Sequence, residues 1–135
     1  MIVDASVAVK WVVPETGSDL AVALLGRDLW APSLWLAEAA NALRKKCLRG
    51  EIDEAEARSR AQDLMDAPVE PIELPLLLPA AMRMAAELGH PLYDCLYLAA
   101  ALLRDTTLIT ADRRFAAKVA GHPYFARRVD VLGPS

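Results

Sequence analysis

Short apolar, β-prone runs alternate with longer helix-type segments along almost the whole chain, and this alternation restricts the fold more than any other feature. Residues 1–5 read as a short buried strand, and Ser6 is placed to cap a helical turn over 7–12 ahead of Pro14. Ser18 is placed to cap a helix to about residue 25, and 29–31 form a short extended piece before Pro32. Ser33 is placed to cap a long helix through Arg49 that Gly50 stops. Asp53 and Glu56 make an acidic variant of the capping box, with Ile52 as its staple, opening a helix to about Asp66. Residues 69–74 alternate around Pro71, which admits a short or edge strand at best. Pro79 is set to start a helix that ends at Gly89, His90-Pro91 breaks the chain, and a further helix covers about 93–104. A β-branched run at 107–110, a helix from Asp112 to about Ala120 and a last strand at 129–132 complete the pattern. Strands separated by helices imply right-handed crossovers and a parallel sheet covered by helices, an α/β architecture.

The length of 135 residues suits one compact domain over 1–135, without internal repeat or linker. An apolar share of 55% excludes a disordered chain. Glu38, Arg44, Arg83 and Asp94 interrupt the richest apolar runs before any reaches membrane-spanning length. The first residues carry an acid and no basic lead, which does not read as a secretory signal. Cys47 and Cys95 are far apart, make no CxxC pair and sit in helix-like apolar contexts, as expected for buried thiols of a reduced, cytoplasmic protein.

A net charge of -3 does not mark a general nucleic-acid binder, so the distribution matters more than the sum. Arg44, Lys45, Lys46 and Arg49 gather at one helix end, and Arg113, Arg114, Lys118, Arg127 and Arg128 fall in an acid-free stretch from 113 to 128. Acids dominate from Glu51 to Glu73. A molecule with a basic and an acidic side fits this pattern, as do cations placed at helix C-termini.

Four acids stand out against their surroundings. In open parallel sheets functional groups collect beyond the carboxyl ends of the strands. Asp4 ends the first strand, Asp112 follows the fourth, and Asp94 begins the otherwise apolar helix leading into that fourth strand. Glu38 is set in Leu34-Trp-Leu-Ala-Glu-Ala-Ala-Asn-Ala-Leu43, where a charge needs a partner. Asn41, one turn on, is placed to orient its carboxylate. Taken singly, the three aspartates fit helix caps and Glu38 fits a core ion pair. Taken together they are harder to place, since two carboxylates about 4 Å apart repel by about 4 kcal/mol at an effective dielectric of about 20. No histidine or cysteine beside them makes a zinc-type set, so an all-oxygen site selects a hard cation, Mg2+ or Mn2+. Ser6 and Thr110 add hydroxyls two residues from Asp4 and Asp112. His90 and His122 each precede a proline in loops and are not assigned a catalytic role.

Asp4-Ala-Ser6, Glu38-Ala-Ala-Asn41, Tyr93-Asp94-Cys-Leu-Tyr-Leu-Ala99 and Thr110-Ala-Asp112-Arg-Arg-Phe115, in that order, resemble the PIN-domain family. The nearest resemblance is to the VapC-like toxin ribonucleases of toxin–antitoxin pairs. The resemblance implies a three-layer fold with a central parallel sheet of four to five short strands flanked by helices. It also implies Mg2+- or Mn2+-dependent hydrolysis of RNA phosphodiester bonds. Asp4, Glu38, Asp94 and Asp112 match the family's acidic quartet, and Ser6, Asn41 and Thr110 its supporting polar positions. Asp4 and Asp94 would be direct ligands, Asp112 a ligand directly or through water, and Glu38 a ligand or water-orienting base. The basic stretches would hold the RNA backbone. Arg113, Arg114 and Phe115 stand where some relatives carry a further acid, which leaves one or two metals open. Dimerisation and control by a cognate antitoxin follow from the same resemblance, with Trp11, Trp30, Trp35 and residues 20–25 as candidates for its binding surface or as ordinary core.

Two other readings bound this one. An aspartyl-phosphate phosphatase or receiver also places an acid after its first strand, but Ser6 stands where a dehalogenase-like site wants its second acid, and the receiver's paired acids and late lysine are not seen. A catalytically silent PIN-like module that binds RNA or protein is the remaining alternative.

Overall fold

The computed structural model describes residues 1–133. Pro134 and Ser135, the end of the range expected to form one domain, lie outside the described residues. In chain order the elements are β1 (Ile2–Val3), α1 (Ala5–Val12), α2 (Ser18–Val22) with a 3-10 turn (Ala23–Gly26), β2 (Leu29–Pro32), α3 (Trp35–Leu48) and α4 (Glu54–Met65). They continue with β3 (Val69–Ile72), α5 (Leu74–Leu88), α6 (Leu92–Leu103), β4 (Leu108–Thr110), α7 (Arg113–Ala120), a 3-10 turn (Ala126–Arg128) and β5 (Val129–Val131).

The five strands form one parallel sheet in the order β3-β2-β1-β4-β5. From β1 the chain first builds outward through β2 to β3, then returns to place β4 on the other side of β1. The connections therefore diverge beyond the carboxyl ends of β1 and β4, the place where open α/β sheets bind their ligands. Strand alternation divides the core. Val3, Leu29 and Ile109 meet Val7 of α1 and Ala21 of α2 on one face, while Ile2 and Leu108 join the apolar residues of α6 on the other. The result is a three-layer α/β fold, as the sequence pattern leads one to expect. Pro71 sits in the edge strand β3, where its missing N–H removes no internal ladder bond.

Several boundaries differ from those read in the sequence. Helix α5 begins at Leu74, not at Pro79: Pro75 occupies the first turn and Pro79 lies inside. Starting early brings Leu77 onto the buried face with Ala81, Met84 and Leu88, at helical spacings of four, three and four. That burial outweighs the hydrogen bond Pro79 cannot make in the second turn. Ser6 is not the cap of α1; Asp4 is, accepting the Val7 N–H. Gly17, in the left-handed region at φ 87°, caps α2, and the Ser18 hydroxyl instead donates to the Val13 carbonyl. That helix is short and tightens into the 3-10 turn. Ser33 does not cap α3; its N–H extends the β2–β3 pairing to the Ile72 carbonyl (2.8 Å), and Leu34 takes the cap position without a side-chain bond. Asp53 caps α4 through the Glu56 N–H as expected. Cys95 is buried, but Cys47 is only half-buried. No helix among the described residues is long and apolar enough to cross a membrane.

Leu98 in α6 is wholly buried, whereas Leu103 one turn and a half later is largely exposed. Leu98→Ala is expected to cost about 2–5 kcal/mol and Leu103→Ala under about 1 kcal/mol, read from urea unfolding midpoints. Equal costs would contradict the packing of α6 as the central helix of its layer.

Candidate active site

β1 is only two residues long, and the chain turns into α1 through Asp4, an 8% exposed residue. Its Oδ1 accepts the Val7 N–H (3.2 Å) and the Ser6 hydroxyl. Its Oδ2 accepts the hydroxyl of Thr110, the fully buried last residue of β4. Both hydroxyls are themselves anchored: Ser6 Oγ accepts the Ala111 N–H and Thr110 Oγ1 the Asp112 N–H, each at 3.0 Å. Ser6 and Thr110 thus clip the ends of β1 and β4 together through one carboxylate. Burial pushes the Asp4 carboxyl up to about 6, against the lowering effect of its three hydrogen bonds and with a further rise from the charge of Asp94.

Glu38, in the first turn of α3, is half-buried and receives the Tyr97 hydroxyl on Oε1 at 2.5 Å. Tyr97 is 2% exposed in α6. Burial, and then the Glu38 carboxylate it serves, hold its phenol far above the usual range. The orienting role that sequence spacing gave to Asn41 falls to Tyr97: Asn41 is exposed and makes no side-chain hydrogen bond among the described residues. The Glu38 carboxyl is raised by burial, lowered by Tyr97 and raised again by Asp94. Asp94, in the first turn of α6, has Oδ2 2.5 Å from His90 Nε2. Asp112 lies exposed as the cap of α7, its Oδ1 accepting the N–H groups of Arg114 (3.0 Å) and Phe115 (3.1 Å).

The structure thus brings Asp4, Glu38 and Asp94 into one electrostatic neighbourhood, in which Asp94 raises both of the others. Asp112 stands at its rim, joined to Asp4 through Thr110. All the donors are oxygens, which suits a hard cation. Among the described residues no lysine or arginine pairs with Asp4, Glu38 or Asp94, and no three acid, histidine or cysteine side chains converge closely enough to hold a metal ion. Each carboxylate is turned instead onto hydroxyl, amide or imidazole partners. The donor chemistry fits a divalent cation, while the side chains stand as a hydrogen-bonded set and not as a closed ligand shell.

Two partners escaped the sequence reading. Tyr97 lies in an apolar helix stretch, where its hydroxyl, which needs a partner once buried, was the available signal. His90 stands four residues before Asp94, a spacing hidden by the break at Pro91.

A family model described as PIN domain matches residues 1–120. The crystal structure of PAE2754 from Pyrobaculum aerophilum is 28% identical, with a TM-score of 0.73 over 97% of this chain and 87% of that one. A toxin–antitoxin complex from Klebsiella pneumoniae contains a chain that is 15% identical, with a TM-score of 0.71 over 99% of this chain and 98% of that one, a likeness of fold. No curated protein matches the chain.

Because the folded chain holds the Asp4 proton more tightly than the unfolded one, whose aspartate titrates near 3.8, the associated stability is full below that value and is lost as pH rises through about 6. In EDTA, the wild type is expected to lose on the order of 1–2 kcal/mol relative to Asp4→Asn between pH 5 and 7.5, measured by urea unfolding. A stability difference that does not change with pH would contradict the burial of an ionisable Asp4.

Proposed function

The chain belongs to the PIN-domain family, and on that premise we propose that it is a Mg2+- or Mn2+-dependent endoribonuclease, the toxin of a toxin–antitoxin pair acting in the cytoplasm. The observation that carries this reading is the group of three buried or partly buried carboxylates at the divergence of the sheet, with the charge of Asp94 acting on both Asp4 and Glu38 and none of the three paired with lysine or arginine among the described residues. Such a group lowers its energy by taking up protons or a cation.

Asp4 and Asp94 would hold the cation directly, Asp112 directly or through water, and Glu38 as ligand or base. When bound, the cation supplies Lewis acidity for hydrolysis of a phosphodiester. The protein's own groups set the geometry. Thr110 and Ser6 hold both oxygens of Asp4. Tyr97 occupies Oε1 of Glu38 and so leaves Oε2 as the atom that orients a water and takes its proton. Ser6, Thr110 and Tyr97 are thereby positioning groups, and Asn41 keeps only its place in the sequence motif.

Within the acid-free stretch 113–128 the RNA backbone is assigned to Arg114 and Lys118, because the other basic cluster is largely neutralised within the fold and Arg128 is paired with Asp105. Lys46 pairs with Glu15, Arg44 with Glu54 and Arg49 with Glu51. Arg114 and Lys118, by contrast, line a cavity of about 330 Å³ that also borders Asp112. For the antitoxin, a groove of about 360 Å³ between α1, α2 and α4, lined by Trp11, Val13, Pro14 and Val22 and edged by Lys10, Asp19 and Arg60, is the surface that fits an amphipathic segment. The Klebsiella pneumoniae neighbour, from a toxin–antitoxin complex, supports a partner of this kind, and a homodimer is part of the same reading.

Incubated with a cellular RNA pool, the purified chain is expected to cut at discrete positions with Mg2+ or Mn2+ and not with EDTA. Asp94→Asn is expected to abolish cleavage and Glu38→Gln to slow it by about 100-fold or more, both with unfolding midpoints near that of the wild type. RNA retention without metal-dependent cutting would replace this reading with that of a binding module.

A further inference from the structure

His90 has no place in the acidic quartet, yet it is held more firmly than a loop residue beside a proline needs to be. Its ring packs on Phe115, centroids 4.8 Å apart, and Phe115 is 1% exposed. The carbonyl just before it, of Gly89, accepts the Lys118 ammonium at 2.7 Å. Gly89 itself takes a left-handed φ of 59°, and Pro91 on the other side restricts the backbone further. Phe115 and Lys118 belong to α7, the helix capped by Asp112. His90 is therefore fixed by α7 while its Nε2 reaches Asp94 on α6.

We propose that His90 is a positioning residue for Asp94: by holding Oδ2 it aims the carboxylate at the cation site and sets its place relative to Asp112. The inference rests on the reading of Asp94 as a metal ligand. The physical reason is competition. Asp94 lies in the first turn of α6, whose cap, Pro91, offers no side-chain acceptor, so the free N–H groups of that turn are ready partners for the carboxylate. A carboxylate turned back onto them would face its own helix. An ionised carboxylate only accepts, so the imidazole N–H donates to Oδ2 and draws the group away from that alternative. Oδ1 takes no hydrogen bond among the described residues. Carboxylates that ligate metals are commonly fixed by such outer partners, whose loss costs about 10- to 100-fold in affinity.

The test is calorimetric titration of Mn2+ into the wild-type chain and into Asp94→Asn, His90→Ala, His90→Phe and His90→Gln at one pH, with unfolding midpoints alongside. His90→Phe keeps a ring to pack on Phe115 but has no N–H to donate, and it serves if His90→Ala does not fold. His90→Gln offers an amide N–H at similar reach. Expected are a dissociation constant weakened about 10- to 100-fold in the Ala and Phe variants, recovery in Gln, and RNA cleavage in the Ala and Phe variants that excess Mn2+ restores. Wild-type affinity in both the Ala and Phe variants, with binding lost in Asp94→Asn, would overturn the role of His90 and leave the ligand reading standing. Undiminished Mn2+ binding in Asp94→Asn would overturn the ligand reading, and the proposal with it.

Discussion

Asp4 is a buried carboxylate at the point where two halves of a parallel sheet part, and much of the molecule is arranged to keep it there. Its charge is expensive to bury. The chain meets that cost with hydroxyls from Ser6 and Thr110 and an amide from Val7. The first hydroxyl comes from the helix after β1 and the second from the end of β4, so satisfying the carboxylate also locks the two central strands at their carboxyl ends. The backbone N–H groups of Ala111 and Asp112 then bind those same hydroxyls. The loop carrying Asp112 is thereby placed by the atoms that serve Asp4.

Around this junction the other acids are fixed by aromatic and imidazole groups. Tyr97 reaches Glu38 from the same helix that carries Asp94, so α6 both contributes one acid and orients another. This economy is possible because α6 is buried over most of its length: a phenol in such a place must find an acceptor, and a charged neighbour on α3 gains a directed donor in return. On the proposed reading, the burial that raises Asp4 and Glu38, together with the charge of Asp94 beside them, is what makes a divalent cation a favourable partner for the group.

The layers and strand positions were legible because they depend on periodicity, which is local. The runs at 107–110 and 129–132 and the edge strand around Pro71 appear within a residue or two of where pattern alone puts them. What was less legible depends on tertiary partners. Ser6, Ser18 and Ser33 all look like caps in isolation, yet Ser6 spends its hydroxyl on Asp4, Ser18 spends its on the Val13 carbonyl before the helix, and Ser33 gives its backbone amide to Ile72 across the sheet. Helix α5 starts before Pro79 because Leu77 has a core to enter, which composition around a proline does not disclose. The four acids were conspicuous because charge in apolar surroundings needs explaining. Tyr97 and His90 were not, because one resembles core and the other a loop.

On the proposed reading, Asp4, Glu38, Asp94 and Asp112 form a divalent cation site. Anomalous diffraction from crystals of the chain grown with Mn2+ tests it most directly, since manganese is located there without reference to activity. The expected result is a peak bounded by the carboxylates of Asp4 and Asp94, with Glu38 or Asp112 completing its oxygen surroundings. Manganese found only at other carboxylates, with no peak between Asp4 and Asp94, would contradict it.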